Sequence, residues 1–161
     1  MEKKEQKSEF LLNTENGWNR IDEKELPSLE AYAKEYISFL SKAKTERLAH
    51  DFAVEKAKAN GYVSISEKDK LQPGDKVFVS HSGRTVFFIL IGKKDITEGM
   101  NLLGGHIDCP RIDLKPNPLY EDSELAFFDT HYYGGIRKYQ WVALPLAVHG
   151  HVVKQDGSVV D

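Results

Sequence analysis

The apolar positions of this chain change period near residue 61. Leu29, Tyr32, Ala33, Tyr36, Ile37 and Leu40 recur at three- and four-residue intervals, which places them on one face of a helix. The pattern predicts an amphipathic helix over about 28–42, with Ser28 as its N-cap after Pro27. Thr45 is a second N-cap, and Leu48, Phe52, Ala53 and Ala57 carry a second helix to Asn60-Gly61. The aromatic residues of both helices are expected in the core. Residues 1–16 are polar and expected to fray, Asn16-Gly17 reads as a turn, and Trp18 and Ile21 are candidates for docking the arm.

Beyond Gly61 the signals are those of strands. Tyr62, Val63 and Ile65 suggest a short strand, and Leu71-Gln72-Pro73-Gly74-Asp75 a turn. Lys76–Ser80 and Thr85–Gly92 are β-rich and joined by His81-Ser82-Gly83-Arg84, a hairpin signal. Phe87 to Ile91 is apolar on both faces, as a buried central strand requires. Met100–Gly104 reads as a second buried run after a turn at Thr97-Glu98-Gly99. From Pro110 the composition shifts. Lys115-Pro116-Asn117-Pro118 resists regular structure, because proline lacks the N–H and restrains the residue before it. Ala126–Tyr133, Tyr139–Val148 and His151–Val153 follow as expected strands, with turns at Gly134-Gly135 and Asp156-Gly157. A hairpin return is due at Val159-Val160. Helices followed by a buried mixed sheet indicate a layered α/β fold, and the shift in composition places a domain boundary near 115–120.

Composition narrows the function classes. A chain of 161 residues with 40% hydrophobic and 29% charged residues fits one globular domain of ordinary size. Its net charge of −3 gives no bulk attraction to nucleic acid or an anionic membrane. No stretch is long enough to span a bilayer, and the first nine residues mix Lys and Glu without an apolar core. The single cysteine, Cys109, excludes an intramolecular disulfide and fits a reducing, cytoplasmic setting.

The segment from Leu102 to Pro110 carries the main chemical signal: an apolar run, two glycines, then His106-Ile107-Asp108. Imidazole is a good zinc ligand, and a carboxylate two residues away can orient it. In extended backbone, residues i and i+2 share a side, so His106 and Asp108 can face one site. At the carboxyl end of a buried strand they would lie where open α/β sheets form ligand crevices. The alternative is a surface histidine beside a solvated aspartate, and the residues alone leave both open.

Other candidates are weaker. Cys109 is expected to be a small buried side chain, since no helix N-terminus or neighbouring base is evident to depress its pKa. His131, His149 and His151 are spaced unlike a structural zinc cluster and read as strand-surface residues, although they remain candidates to complete a metal site. The aromatic and basic run from His131 to Trp141 could stack on single-stranded nucleic acid, but Glu121, Asp122, Glu124 and Asp129 flank it, which favours a sheet surface or subunit contact. Neither Gly-Gly pair belongs to a phosphate loop, because the Lys-Ser/Thr of that motif is missing.

Four blocks together resemble the M18 aminopeptidases, the aspartyl aminopeptidase relatives among cocatalytic zinc peptidases. Gly105 to Tyr120 is similar to the family's His-x-Asp-Ser-Pro segment. Phe39 to Arg47 resembles its early helix-to-helix segment, and Tyr133-Gly134-Gly135 its Tyr-Gly-Gly turn. Tyr139-Gln140-Trp141 with Pro145 to Gly150 is similar to a bacterial branch. The likeness runs over about residues 18–154. Cys109 stands where the family usually has Ser, and the family's Trp-x-Asp-Arg pattern is not kept after Trp141.

The resemblance implies an α/β fold: part of an α/β/α layered zinc peptidase domain over 1–115, then the start of an inserted β-rich domain over 116–161, used for oligomerisation and for covering the site. It implies that His106 is a zinc ligand and Asp108 the catalytic aspartate that orients it. The complete enzyme would hold two zinc ions and remove N-terminal residues, acidic ones by the family name, from peptides. A homo-oligomer, a dodecamer in the family, is also implied. The bridging Asp, the paired Glu residues, the next Asp ligand and the last His of the family have no counterpart here. One His cannot hold a zinc pair, so the isolated chain is expected to be inactive. The alternative is a non-catalytic binding or assembly module that keeps the first half of the fold.

Overall fold

The computed structural model describes residues 14–160, so the first thirteen residues of the polar arm, and Asp161, lie outside the described residues. The chain divides into two units, one ending at Ser38 and one beginning at Phe39.

In the first unit, the Asn16 side chain accepts the Trp18 N–H at 3.1 Å and starts a 3-10 turn over Gly17–Arg20. Trp18 stays exposed. Asp22 and Glu25 form a reciprocal capping box ahead of α1, Leu26–Lys42. The helix therefore begins two residues before Ser28, with Pro27 in its first turn, where a missing N–H costs nothing. Tyr32 and Tyr36 are exposed rather than in a core.

The second unit is built on α2, Glu46–Ala59, and a three-stranded sheet. Thr45 caps α2 by accepting the Leu48 N–H at 3.2 Å, as its position predicts. Phe52 of α2 meets Phe39 edge-on with ring centroids 5.2 Å apart. The strands are β1, Val63–Ser64, β2, Lys76–His81, and β3, Thr85–Leu90. β2 is central, parallel to β1 and antiparallel to β3. Ser82 and Gly83, both in the left-handed region at φ 53° and 62°, are the central residues of the turn that closes the β2–β3 hairpin, with the Arg84 N–H donating to the His81 carbonyl at 3.2 Å.

The core is small: Val77, Phe78, Ala49 and Ala57, with His50 as the buried polar member. His50 is satisfied, its Nε2 lying 2.8 Å from Ser80 Oγ and its Nδ1 2.8 Å from Asp51 Oδ1, so it ties α2 to β2. The apolar run at Phe87–Ile91 is not a central strand. Among the described residues β3 pairs with β2 alone and so is an edge, and Phe87, Phe88, Ile89 and Leu90 are exposed. Met100–Gly104 forms no strand either, and Leu102 and Leu103 stand in solvent. An apolar run becomes a strand only where another strand takes up its N–H and C=O groups, and among the described residues none pairs with this one.

Next comes a long antiparallel ribbon, β4, Arg111–Asp122, with β5, Leu125–Tyr133. β4 runs through the Lys115–Pro118 stretch that was expected to be irregular, and the irregularity survives as a shift of register. Leu114 pairs with Thr130 and Leu119 with Phe128, so residues 115–118 face only Asp129. The bulge leaves Pro116 and Pro118 out of the ladder, where their missing N–H does no harm. Ser123 and Glu124 turn the ribbon at φ 53° and 62°, a left-handed pair made without glycine and steadied by Glu121, whose carboxylate accepts the Glu124 N–H at 2.9 Å.

Tyr139–Val148 is not a strand. It holds a single helical turn, α3, Lys138–Trp141, followed by irregular chain. The expected return at the end of the chain is present: β6, Val152–Val153, pairs with β7, Val159–Val160. No helix among the described residues is long and apolar enough to cross a membrane.

Candidate functional site

The His106–Asp108 segment lies in irregular backbone just before β4, not at the end of a strand. Its two side chains meet even so. His106 Nδ1 is 2.9 Å from the Asp108 carbonyl oxygen and 3.2 Å from Asp108 Oδ1. Donation to either oxygen puts the imidazole proton on Nδ1 and leaves the Nε2 lone pair available. The His106 side chain is 84% exposed, so that lone pair faces an open side.

Asp108 is held from its other oxygen. Tyr133 Oη donates to Asp108 Oδ2 at 2.7 Å across 25 residues of sequence. That hydroxyl is the main reason the Asp108 carboxyl sits below the usual carboxylate range, with the His106 ring adding to it. In return, the carboxylate raises the Tyr133 phenol above its ordinary value, so the hydroxyl keeps its proton and remains the donor.

The ribbon positions Tyr133. It is the last residue of β5 and lies opposite Arg111, the first residue of β4. The Arg111 guanidinium covers the Tyr133 ring, 4.1 Å from its centroid. Arg111 Nε donates to Asp113 Oδ1 at 2.7 Å, which raises its pKa further, and Nη1 lies 3.6 Å from Glu46 Oε2 at the start of α2. Gly134 then turns the chain at φ +74°, and a Cβ there would come within 3.3 Å of Pro110 Cα. The Tyr-Gly-Gly turn is thus a close approach that only glycine makes without strain.

The other candidates fall elsewhere. Cys109 is exposed, not buried as expected, because the irregular segment that carries it has no sheet to cover it. His131 lies on β5 with Nδ1 3.1 Å from the Tyr132 carbonyl oxygen. His149 and His151 line an open groove of about 480 Å³ with Thr45, Glu46, Leu48 and Arg111, among others. Lys138 lies over the Tyr132 ring at 4.1 Å, which accounts for part of the aromatic and basic run as packing on the ribbon. Among the described residues no three His, Cys, Asp or Glu side chains gather in a way that would hold a metal. The donor chemistry of His106 fits one zinc ligand; a full ligand set needs further groups.

Residues 39–160 match the family described as aminopeptidase I zinc metalloprotease (M18). The chain belongs to that family. It is 44% identical over 158 residues to a Clostridium acetobutylicum protein named probable M18 family aminopeptidase 1, covering 96% of this chain and 34% of the relative. Among solved structures, aminopeptidase I from Borrelia burgdorferi B31 superposes with a TM-score of 0.86 at 42% identity, covering 91% of this chain and 36% of that one. The M18 aminopeptidase from Thermotoga maritima gives 0.83 at 37% identity, covering 93% of this chain and 32% of that one. The fold is that of a partial M18 α/β domain, and the chain spans about a third of the length of the curated relatives it matches.

Proposed function

We propose that this chain contributes one zinc ligand, His106, and the catalytic aspartate, Asp108, to an M18 aminopeptidase that removes N-terminal residues from peptides. The observation that carries the reading is the arrangement of the pair: Asp108 holds the Nδ1 side of His106 and leaves Nε2 on an open face. The family description as a zinc metalloprotease supports the choice of metal.

His106 would hold the metal through Nε2, and Asp108 would fix the ring and its tautomer. Zinc supplies, when bound, a Lewis acid that polarises the scissile carbonyl and eases deprotonation of water. Asp108, kept ionised by Tyr133, stabilises positive charge gathering on the imidazole. Two ions and a general-base Glu, as the resemblance implies, require donors beyond this pair, so we expect the 161-residue chain alone to be inactive. The same reading makes residues from about 116 the start of a β-rich inserted domain and the protein a cytoplasmic homo-oligomer, a dodecamer by family likeness. Preference for an acidic N-terminal residue draws support from a Ricinus communis relative named probable aspartyl aminopeptidase, 35% identical over 129 residues.

The test uses the full-length protein. Zinc content is measured beside hydrolysis of aspartyl and leucyl chromogenic amides, for the parent, His106→Ala and Asp108→Asn. We expect His106→Ala to lower zinc content and to lose turnover, and Asp108→Asn to keep most of its zinc while kcat/KM falls at least 10–100-fold. Parental zinc and turnover in both variants would leave His106 a surface histidine, and a parent without metal-dependent turnover would favour the binding or assembly module.

A further inference from the structure

We propose that Tyr133, clamped by Arg111, is the positioning residue that sets the orientation of Asp108; this rests on the reading of His106 and Asp108 given above. A carboxylate is placed fully only when both its position and its rotation about the Cβ–Cγ bond are fixed. Asp108 has one partner for each oxygen: His106 at Oδ1 and the Tyr133 hydroxyl at Oδ2. The second bond, at 2.7 Å, has full hydroxyl hydrogen-bond length and is strengthened by the charge on its acceptor.

The need for such a bond comes from the backbone. From Gly99 to Pro110 the chain has neither helix nor strand, so no ladder holds Asp108 where it is. The His106–Asp108 bond joins two residues of the same irregular segment and fixes neither against the rest of the molecule. The Tyr133 hydroxyl is different. It reaches from the end of β5, and so ties Asp108 to regular structure.

Tyr133 is suited to this because its ring is pinned. Arg111 lies over it at 4.1 Å, and Arg111 is anchored by Asp113 on β4 and by Glu46 at the start of α2. The left-handed turn at Gly134 brings the backbone against Pro110, two residues from Asp108, which gives the hydroxyl its short reach. A chain of contacts thus runs from α2 and the ribbon through Arg111 and Tyr133 to Asp108 and His106.

Removing the hydroxyl should leave the metal ligand in place but free Asp108 to rotate. In the full-length protein, Tyr133→Phe is therefore expected to raise the zinc Kd, read by chelator competition, and to lower kcat, each by about 10-fold, with KM changed less than about twofold. In an Asp108→Ala background the same substitution should add nothing to the loss of zinc affinity, because the partner through which it acts is gone. Arg111→Met, which keeps the hydroxyl and removes the clamp, should show a smaller loss of zinc affinity that also vanishes in the Asp108→Ala background. A merely structural Tyr133 would give losses that add to those of Asp108→Ala, and that result overturns the proposal. So does parental zinc affinity and kcat in Tyr133→Phe while His106→Ala has lowered zinc content. Parental zinc in His106→Ala overturns the reading of the site itself, and the role of Tyr133 with it.

Discussion

The α2–β1–β3 region and the β4–β5 ribbon are held by different forces. In the first, Val77, Phe78, Ala49 and Ala57 leave water, and even the polar member, His50, has both ring nitrogens satisfied. In the second, no residue of either strand is buried, and the side chains that matter are joined by ion pairs, a stacked guanidinium and a hydroxyl–carboxylate bond. Apolar burial gives stability without direction, whereas hydrogen bonds give direction with modest net energy. Asp108, just before β4, is tied through Tyr133 to the region held by directional contacts, which suits a task where angle counts for more than stability.

Substitutions separate the two regions, and the largest effect belongs to the core. Phe78→Ala removes a nearly buried ring from β2 and should destabilise the protein by about 3–5 kcal/mol in urea unfolding. A cost below about 1 kcal/mol would mean that this sheet does not carry the stability. Gly134→Ala forces a left-handed residue to carry a Cβ against Pro110, which should cost about 1–3 kcal/mol. It should also weaken zinc binding in the full-length protein, as Tyr133 is moved away from Asp108. A stability loss with parental zinc affinity would break the link between turn and site. Asp129→Ala removes the partner of Lys115 at the bulge, a pair 3.0 Å apart and about half exposed on both sides. Its cost should stay under about 1 kcal/mol and shrink further in high salt.

The sequence was most legible where local rules suffice. Both helices, the Thr45 cap, the His81–Arg84 hairpin and the Asp156-Gly157 return all appear close to where spacing and turn residues put them. It misled where burial depends on a partner. Phe87–Ile91 and Met100–Gly104 are apolar enough for buried strands, but the first is an edge and the second is unpaired among the described residues. Apolarity shows that cover is wanted, not what supplies it. The β4–β5 turn was missed because Ser123-Glu124 carries none of the usual left-handed residues. At the site, His106 and Asp108 were readable from their spacing. The Tyr133–Asp108 bond was not, since nothing local links residues 25 apart; the glycines after Tyr133 were the one signal of a close approach.

The central claim is that Asp108 holds His106 so that Nε2 receives the metal. The most direct measurement is a crystal structure of the full-length protein grown with zinc, with anomalous data collected on both sides of the zinc edge. The account predicts a zinc peak bonded to His106 Nε2, with Nδ1 still hydrogen-bonded to Asp108 and Tyr133 still on the far carboxylate oxygen. A His106 ring with no zinc bonded to it, or one bound through Nδ1 with Asp108 turned away, would contradict it.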